Sequence, residues 1–270
     1  MWNKDTRRLE ENAEAEHILY CNTSSSIISR TKTFDTMLLW SVFALALLHM
    51  SSTCSVVYEI CTNLTAVQEE IVNIHNTFRR EVVPTASNML KMRWSDEVAA
   101  TAQTWADTCA MAHGPPSSRM LGSYQMGENL LQSSNIMSWT DVVTAWHNEV
   151  ANYNYPTGSA NGKPIGHYTQ VIWFGSYEVG CGVAKCGSAY FYDCQYYRAG
   201  NYRRVPPYSL GEPCSACPDD CDDKLCTNPC PYVDTFANCP ALKTKGPCSD
   251  YMKEWCTAQC FCPTEIIPTN

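Results

Sequence analysis

The sequence is poor in positive charge, in long apolar runs and in compact catalytic motifs, and each shortage removes a class of function. Lysine and arginine number 19 against 27 aspartates and glutamates, a net charge of −8. Nucleic-acid binders need a basic footprint, so that partner is excluded. A membrane-spanning helix needs about 20 apolar residues, and the apolar run from Met37 to Leu48 is too short to be one. The mature chain is therefore expected to have no transmembrane span. The candidate histidines and carboxylates are not at the spacing of a sequence-local zinc motif. No serine or threonine near them has a base that would make it a nucleophile. Residues 1–36 lack helical or strand periodicity, and their five basic and six acidic side chains nearly cancel. They read as a disordered upstream extension.

What the sequence does have is cysteine: 17 in all, ten of them between Cys214 and Cys262. That density means an oxidising compartment and disulfide staples. Residues 37–54 supply the address. An apolar core follows Arg30 and Lys32 and precedes Ser51, Ser52, Thr53 and Cys54, the pattern of a secretory signal. Met37 is an alternative start, and cleavage is expected near Cys54. Asn63-Leu64-Thr65 is then a glycosylation sequon in the mature chain. Asn22-Thr23-Ser24 precedes the signal and is expected to stay unmodified.

Helices and strands alternate through the middle of the chain. Thr65 and Gln68 form a capping-box pattern, and Val67, Ile71, Ile74 and Phe78 repeat at helical spacing until Pro84 intervenes. A second helix opens at Ser95 with the stripe Val98, Ala102, Trp105 and Cys109. A third opens at Ser138 with Trp139, Val142, Val143, Trp146 and Val150. By spacing alone Glu149 is an edge-of-stripe residue reaching water, while His147 and Asn148 look solvent-facing. The stretch from Gly166 to Trp173 is rich in β-branched and aromatic residues on both alternating faces and reads as an interior strand with His167 at its mouth. Val179–Cys186 and Ala189–Tyr197 form a hairpin through Gly187-Ser188. Helices with a few antiparallel strands make an α+β sandwich.

At these residues the chain resembles a known family. Gly166-His167-Tyr168-Thr169-Gln170-Val171-Ile172-Trp173 is similar to the signature of the CAP superfamily, and Tyr192-Asp193-Cys194-Gln195-Tyr196 to its second signature. Gly127-Glu128-Asn129-Leu130 and Trp146-His147-Asn148-Glu149 match two further motifs. Pro84 to Met92 and the tail segments Pro218–Cys221 and Leu225–Cys230 resemble vertebrate cysteine-rich secretory proteins. The resemblance covers about residues 58–267. It implies a three-layer α-β-α sandwich over 55–207, a cysteine-rich hinge over 208–228 and a small module like a potassium-channel toxin over 229–270. It also implies a central cleft where His113 and His167 take a divalent metal such as Zn2+, with Glu128 and Glu149 orienting them or holding water. The fold does not require that metal. This overrides the spacing-based reading of Glu149.

The family pattern further implies the pairs Cys109–Cys186, Cys181–Cys194, Cys214–Cys221, Cys217–Cys226, Cys230–Cys262, Cys239–Cys256 and Cys248–Cys260. A third sandwich bridge is usual, but its two positions hold Met126 and Tyr197. Cys61 is an odd thiol if cleavage follows Cys54, and a Cys54–Cys61 pair if it falls earlier. A zinc ribbon at Cys214 and Cys217 is disfavoured in a secreted chain. The implied function is a secreted, non-enzymatic regulator of ion channels or binder of another membrane or extracellular protein. The family's associations are with sperm and the male reproductive tract, innate immunity and venom. Tyr232, Phe236, Lys243, Lys245, Lys253, Trp255 and Phe261 are the candidate contacts, unless the aromatics form the module's own core. The alternatives are a metal-dependent hydrolase using the His/Glu cleft and a carrier of sterols or fatty acids.

Overall fold

The computed structural model describes residues 59–268. The upstream extension, the signal segment and the Asn22 sequon lie outside the described residues.

The central sheet has four strands: β1 (Arg93–Trp94), β4 (Gly127–Ser133), β7 (Glu178–Cys186) and β8 (Ala189–Tyr197), ordered β1-β7-β8-β4; the short pairs β2 (Met120–Leu121) with β3 (Tyr124–Gln125) and β5 (Tyr153–Asn154) with β6 (Gly158–Ser159) stand apart from it. Strands β7 and β8 form an antiparallel hairpin closed at Cys186↔Ala189 through Gly187, whose φ is +62°. Alternation along the hairpin builds two different faces. Val179, Cys181, Val183, Tyr192, Cys194 and Tyr196 enter the main core. That core is closed by helices α1 (Thr65–Arg80), α3 (Trp139–His147) and α4 (Gly166–Val171). The other face carries Gly180 and Gly182, and helix α2 (Asp96–Asp107) lies directly on them. A Cβ at Gly180 would fall 2.0 Å from the Ala99 nitrogen, and one at Gly182 2.3 Å from the Gln103 Cα. The missing side chains are what allow the outer helix to touch the sheet, and the result is a three-layer α-β-α sandwich.

Five local readings change. Gly166–Trp173 is not a strand: its first six residues are helix α4. A short apolar run buried on all sides looks the same by composition in a helix or a strand, and here surrounding elements cover the helix from Tyr168 to Val171. The Thr65 capping box does not form; the N-cap is Leu64 without a side-chain cap, and Gln68 Nε2 donates to the Thr62 carbonyl at 2.9 Å. The buried face of α1 is Val67, Ile71, His75, Asn76 and Arg79, while Ile74 and Phe78 lie at its border. Cys109 and Val150 fall beyond the ends of their helices, and Val150 is exposed. His147 is not a solvent-face residue: its ring stacks 3.8 Å from Phe78, and burial lowers its pKa. Ser95 and Ser138 do cap α2 and α3, accepting from Val98 N and Asp141 N.

Two polar side chains buried on α1, Arg79 and His75, are satisfied by the chain around them. The Arg79 guanidinium donates to the carbonyls of Leu90, Val171, Trp173, Phe174 and Ser176. It ties α1 to the turn after α4 with no carboxylate, and burial lowers its pKa to about 9. His75 Nδ1 bonds the Ile71 carbonyl at 2.7 Å and Nε2 meets the Tyr196 hydroxyl at 3.0 Å.

Cys109–Cys186 and Cys181–Cys194 are the sandwich bridges, the second joining directly opposed residues of the hairpin. Cys214–Cys221 and Cys217–Cys226 follow. Their segment is docked on the sandwich rather than standing off it. Cys226 exchanges backbone bonds with Met89 and Lys91, Lys91 and Arg80 pair with Asp222 and Asp223, and Leu225 enters the main core. Cys230–Cys262, Cys239–Cys256 and Cys248–Cys260 hold the last module around helices α5 (Cys239–Lys243), α6 (Asp250–Trp255) and α7 (Thr257–Phe261). Cys61 is disulfide-bonded, so the odd-thiol expectation falls. No helix among the described residues is long and apolar enough to cross a membrane.

Candidate metal-binding cleft

Four separate segments deliver the four side chains. His113 follows α2 on a loop held from two sides. Cys109 is bonded to the end of β7, and Trp105 Nε1 donates to the Ala112 carbonyl at 2.9 Å. Glu128 is the second residue of β4. Glu149 is in the 3-10 turn Asn148–Asn152 that continues α3, and His167 is the second residue of α4. All four line one cleft of about 260 Å³, together with Asn129, Pro164, Gly166 and Asn201.

The two halves repeat one construction. His113 Nδ1 lies 2.6 Å from Glu128 Oε2, and that oxygen also accepts from Gly114 N at 3.1 Å. His167 Nδ1 lies 2.8 Å from Glu149 Oε1, while Glu149 Oε2 accepts from His167 N at 2.8 Å and Tyr168 N at 3.2 Å. Each carboxylate thus grips both the imidazole and the backbone beside it. With Nδ1–H donating to a carboxylate, each ring keeps its lone pair on Nε2, the arrangement of histidines that ligate metals. Glu128 is the more deeply set. Its side chain is fully buried, Arg119 Nη1 stands 3.9 Å away, and its Oε1 has no partner among the described residues. Behind it, burial first and the Glu128 charge second push the Asp193 carboxyl well above the usual range.

Sequence reasoning passed over the residues that brace this site. Asn129 Nδ2 bonds the His167 carbonyl at 3.1 Å, and Asn201 Nδ2 bonds the Gly166 carbonyl at 2.9 Å. Asn129 was in plain view as the third residue of the Gly127-Glu128-Asn129 motif; nothing in the sequence marks Asn201. The Sγ atoms of Cys214, Cys217 and Cys226 gather within 4.8 Å, but all three are in disulfides and offer no thiolate to a metal.

Two family models match the chain: the cysteine-rich secretory protein family, CAP, over residues 72–197, and Crisp over residues 214–267. The chain belongs to the cysteine-rich secretory protein family. Solved structures agree with that placement. Na-ASP-1 is similar at 30% identity with a TM-score of 0.53, over 60% of this chain and 47% of that one. This chain thus spans less than half the length of Na-ASP-1. NaASP2, whose crystal structure is with Zn2+, is similar at 29% identity and a TM-score of 0.53, over 61% of this chain and 96% of that one. BmVAL-1 is similar at 27% identity and a TM-score of 0.50, over 60% and 91%.

Proposed function

We propose that this family member is a secreted, non-enzymatic regulator that docks its C-terminal module on an ion channel or another membrane or extracellular protein. One observation carries the reading: the module wears its aromatics outside. Its interior is Cys230, Ala258 and Cys262 in one cluster and Cys239, Met252 and Cys256 in another. Tyr232, Phe236, Tyr251 and Phe261 are 46%, 44%, 59% and 49% exposed. Phe236 and Tyr251 flank Trp255 at 5.7 and 6.4 Å, and Tyr232 meets Phe261 at 5.6 Å. Bridges hold a module too small for an ordinary core, so the rings are free to serve as anchors at little entropic cost. Lys243, Lys245 and Lys253 add exposed positive charge, though Lys253 is engaged by Asp250 at 3.2 Å. Tyr251 joins the contact set. Seven disulfides among the described residues support an extracellular setting.

The test uses the whole mature chain, because the Cys214–Cys226 segment is bonded into the sandwich. Applied to a panel of channels, the parent is expected to change current and the Phe236→Ala/Trp255→Ala variant to lose most of that effect. Equal potency of parent and variant would sink the docking reading.

In the cleft, His113 and His167 fit a divalent ion such as Zn2+ through their Nε2 atoms, with Glu128 and Glu149 holding the rings. Such an ion would supply an electrophilic centre there, and His113 and His167 would hold it between the loop after α2 and α4. A hydrolase with a side-chain nucleophile has less support, since the Thr169 hydroxyl beside the cleft is occupied with the Ile165 carbonyl and Asn201; a metal-dependent one predicts a turnover that His113→Ala or His167→Ala abolishes. A lipid or sterol carrier has one favourable observation. A pocket of about 340 Å³ adjoins the cleft, and both Trp173 Nε1 and Tyr153 Oη on its wall lack partners among the described residues. Extraction of a labelled sterol by the purified chain tests it, and no uptake would remove it.

A further inference from the structure

The positions where the resemblance expects a third bridge hold Met126 and Tyr197, and the residue after Tyr197 is a buried arginine. Arg198 is 4% exposed. Its guanidinium lies 4.4 Å from the ring centre of Tyr124 and 5.2 Å from that of Tyr197, with the Tyr177 hydroxyl nearby. Nη2 reaches the Pro231 carbonyl at a long 3.4 Å, and Nε has no partner among the described residues. Among the described residues, no carboxylate forms an ion pair with it. The cation is therefore desolvated and only partly compensated by ring faces.

Arg198 lines a pocket of about 400 Å³ where the sandwich meets the C-terminal module. Ser123, Tyr124, Gln125 and Tyr202 form the sandwich side, Val233 and Asp234 the module side. We propose that this pocket binds a small organic monocarboxylate. The guanidinium fork matches a carboxylate, and a buried cation without a counter-ion gains most from one. Tyr124 and Tyr202 give a flat body somewhere to lie. The fork and the flat rings suit a planar carboxylate on a flat body, so tetrahedral sulfate and phosphate are discriminated against.

The test titrates sodium benzoate into the full mature chain by calorimetry at constant ionic strength, with sodium sulfate in parallel. One equivalent of benzoate is expected to bind saturably, and sulfate is not. Arg198→Met is expected to weaken benzoate about tenfold or more, the scale of a lost charge-assisted hydrogen bond. Because Arg198 is buried, a second variant guards the test. Ser123→Trp, at an exposed turn, fills the pocket and is expected to abolish binding with Tm unchanged. No saturable benzoate binding, sulfate binding equally well to the parent, or Ser123→Trp binding like the parent would each overturn the assignment.

Discussion

Replacing Glu149 by glutamine changes one oxygen to an amide nitrogen and tests how the cleft is set. The glutamine carbonyl can keep the backbone donors of His167 and Tyr168, which the carboxylate holds at 2.8 and 3.2 Å. Its NH2 then faces His167 Nδ1, now 2.8 Å from Oε1. Two donors cannot face each other, so the ring must move its proton to Nε2, the atom that would take the metal. Zn2+ affinity should fall about 10- to 100-fold, the usual effect of losing a carboxylate behind a ligating histidine. Stability should fall by only about 1–2 kcal/mol, because His167 and Glu149 still reach solvent. Calorimetric Zn2+ titration of the parent, Glu149→Gln, His167→Ala and the double variant measures this. Since glutamine acts through the imidazole, the double variant should bind no worse than His167→Ala alone. If Glu149→Gln binds Zn2+ as the parent does, or the two losses add in full, the tautomer argument is wrong.

Three further outcomes follow from the scaffold. His75 is fully buried, and desolvation lowers its pKa from 6.5 to about 4. The folded state therefore refuses a proton that the unfolded chain accepts, and stability should drop by about 3 kcal/mol as pH falls from 6.5 towards 4, then level off. Urea unfolding at pH 7 and 4.5 checks this, and His75→Gln should lose that part of the slope. Removing Cys109–Cys186 with serines opens a link spanning 77 residues, worth about 4 kcal/mol by loop entropy. It should also weaken Zn2+ binding, because the His113 loop is released; calorimetry of both properties decides. Asn63 is exposed just before α1, so a secretory host should attach a glycan that Asn63→Gln removes, read as a mass difference.

The elements most legible in sequence were those set by local chemistry. Ser95 and Ser138 announce α2 and α3 because a side-chain cap depends only on residues three apart. The Gly187 turn fixes the hairpin register by itself. The misreadings share a cause, which is that burial was inferred from apolar spacing. Helix α1 buries His75, Asn76 and Arg79 in preference to Ile74 and Phe78 because the Tyr196 hydroxyl and backbone groups elsewhere in the chain meet their polar atoms. Asn76, for instance, donates to the Met92 carbonyl and accepts from the Met92 nitrogen. No window of the sequence contains those partners. Helix α4 reads as a strand in sequence for the same reason. The four cleft residues come from segments too far apart for spacing to join them, and only the family resemblance named them together.

Those buried donors connect directly to the cleft. The Tyr196 hydroxyl stands 3.0 Å from His75 Nε2 and 3.3 Å from Asn129 Nδ2, and the same Asn129 nitrogen bonds the His167 carbonyl. From the other side, Arg79 holds the Val171 and Trp173 carbonyls at the C-terminal end of α4. Helix α4 has only six residues, too few to be stable alone. Its orientation, and so the aim of His167, is set by polar contacts at both ends. An apolar core would bury α4 equally well while leaving it freer to rotate, since dispersion is weakly directional and hydrogen bonds are not. The cost of burying a histidine, an arginine and a tyrosine hydroxyl is thus tied to orienting one imidazole. Trimming any of the three should loosen His167 before it unfolds the chain.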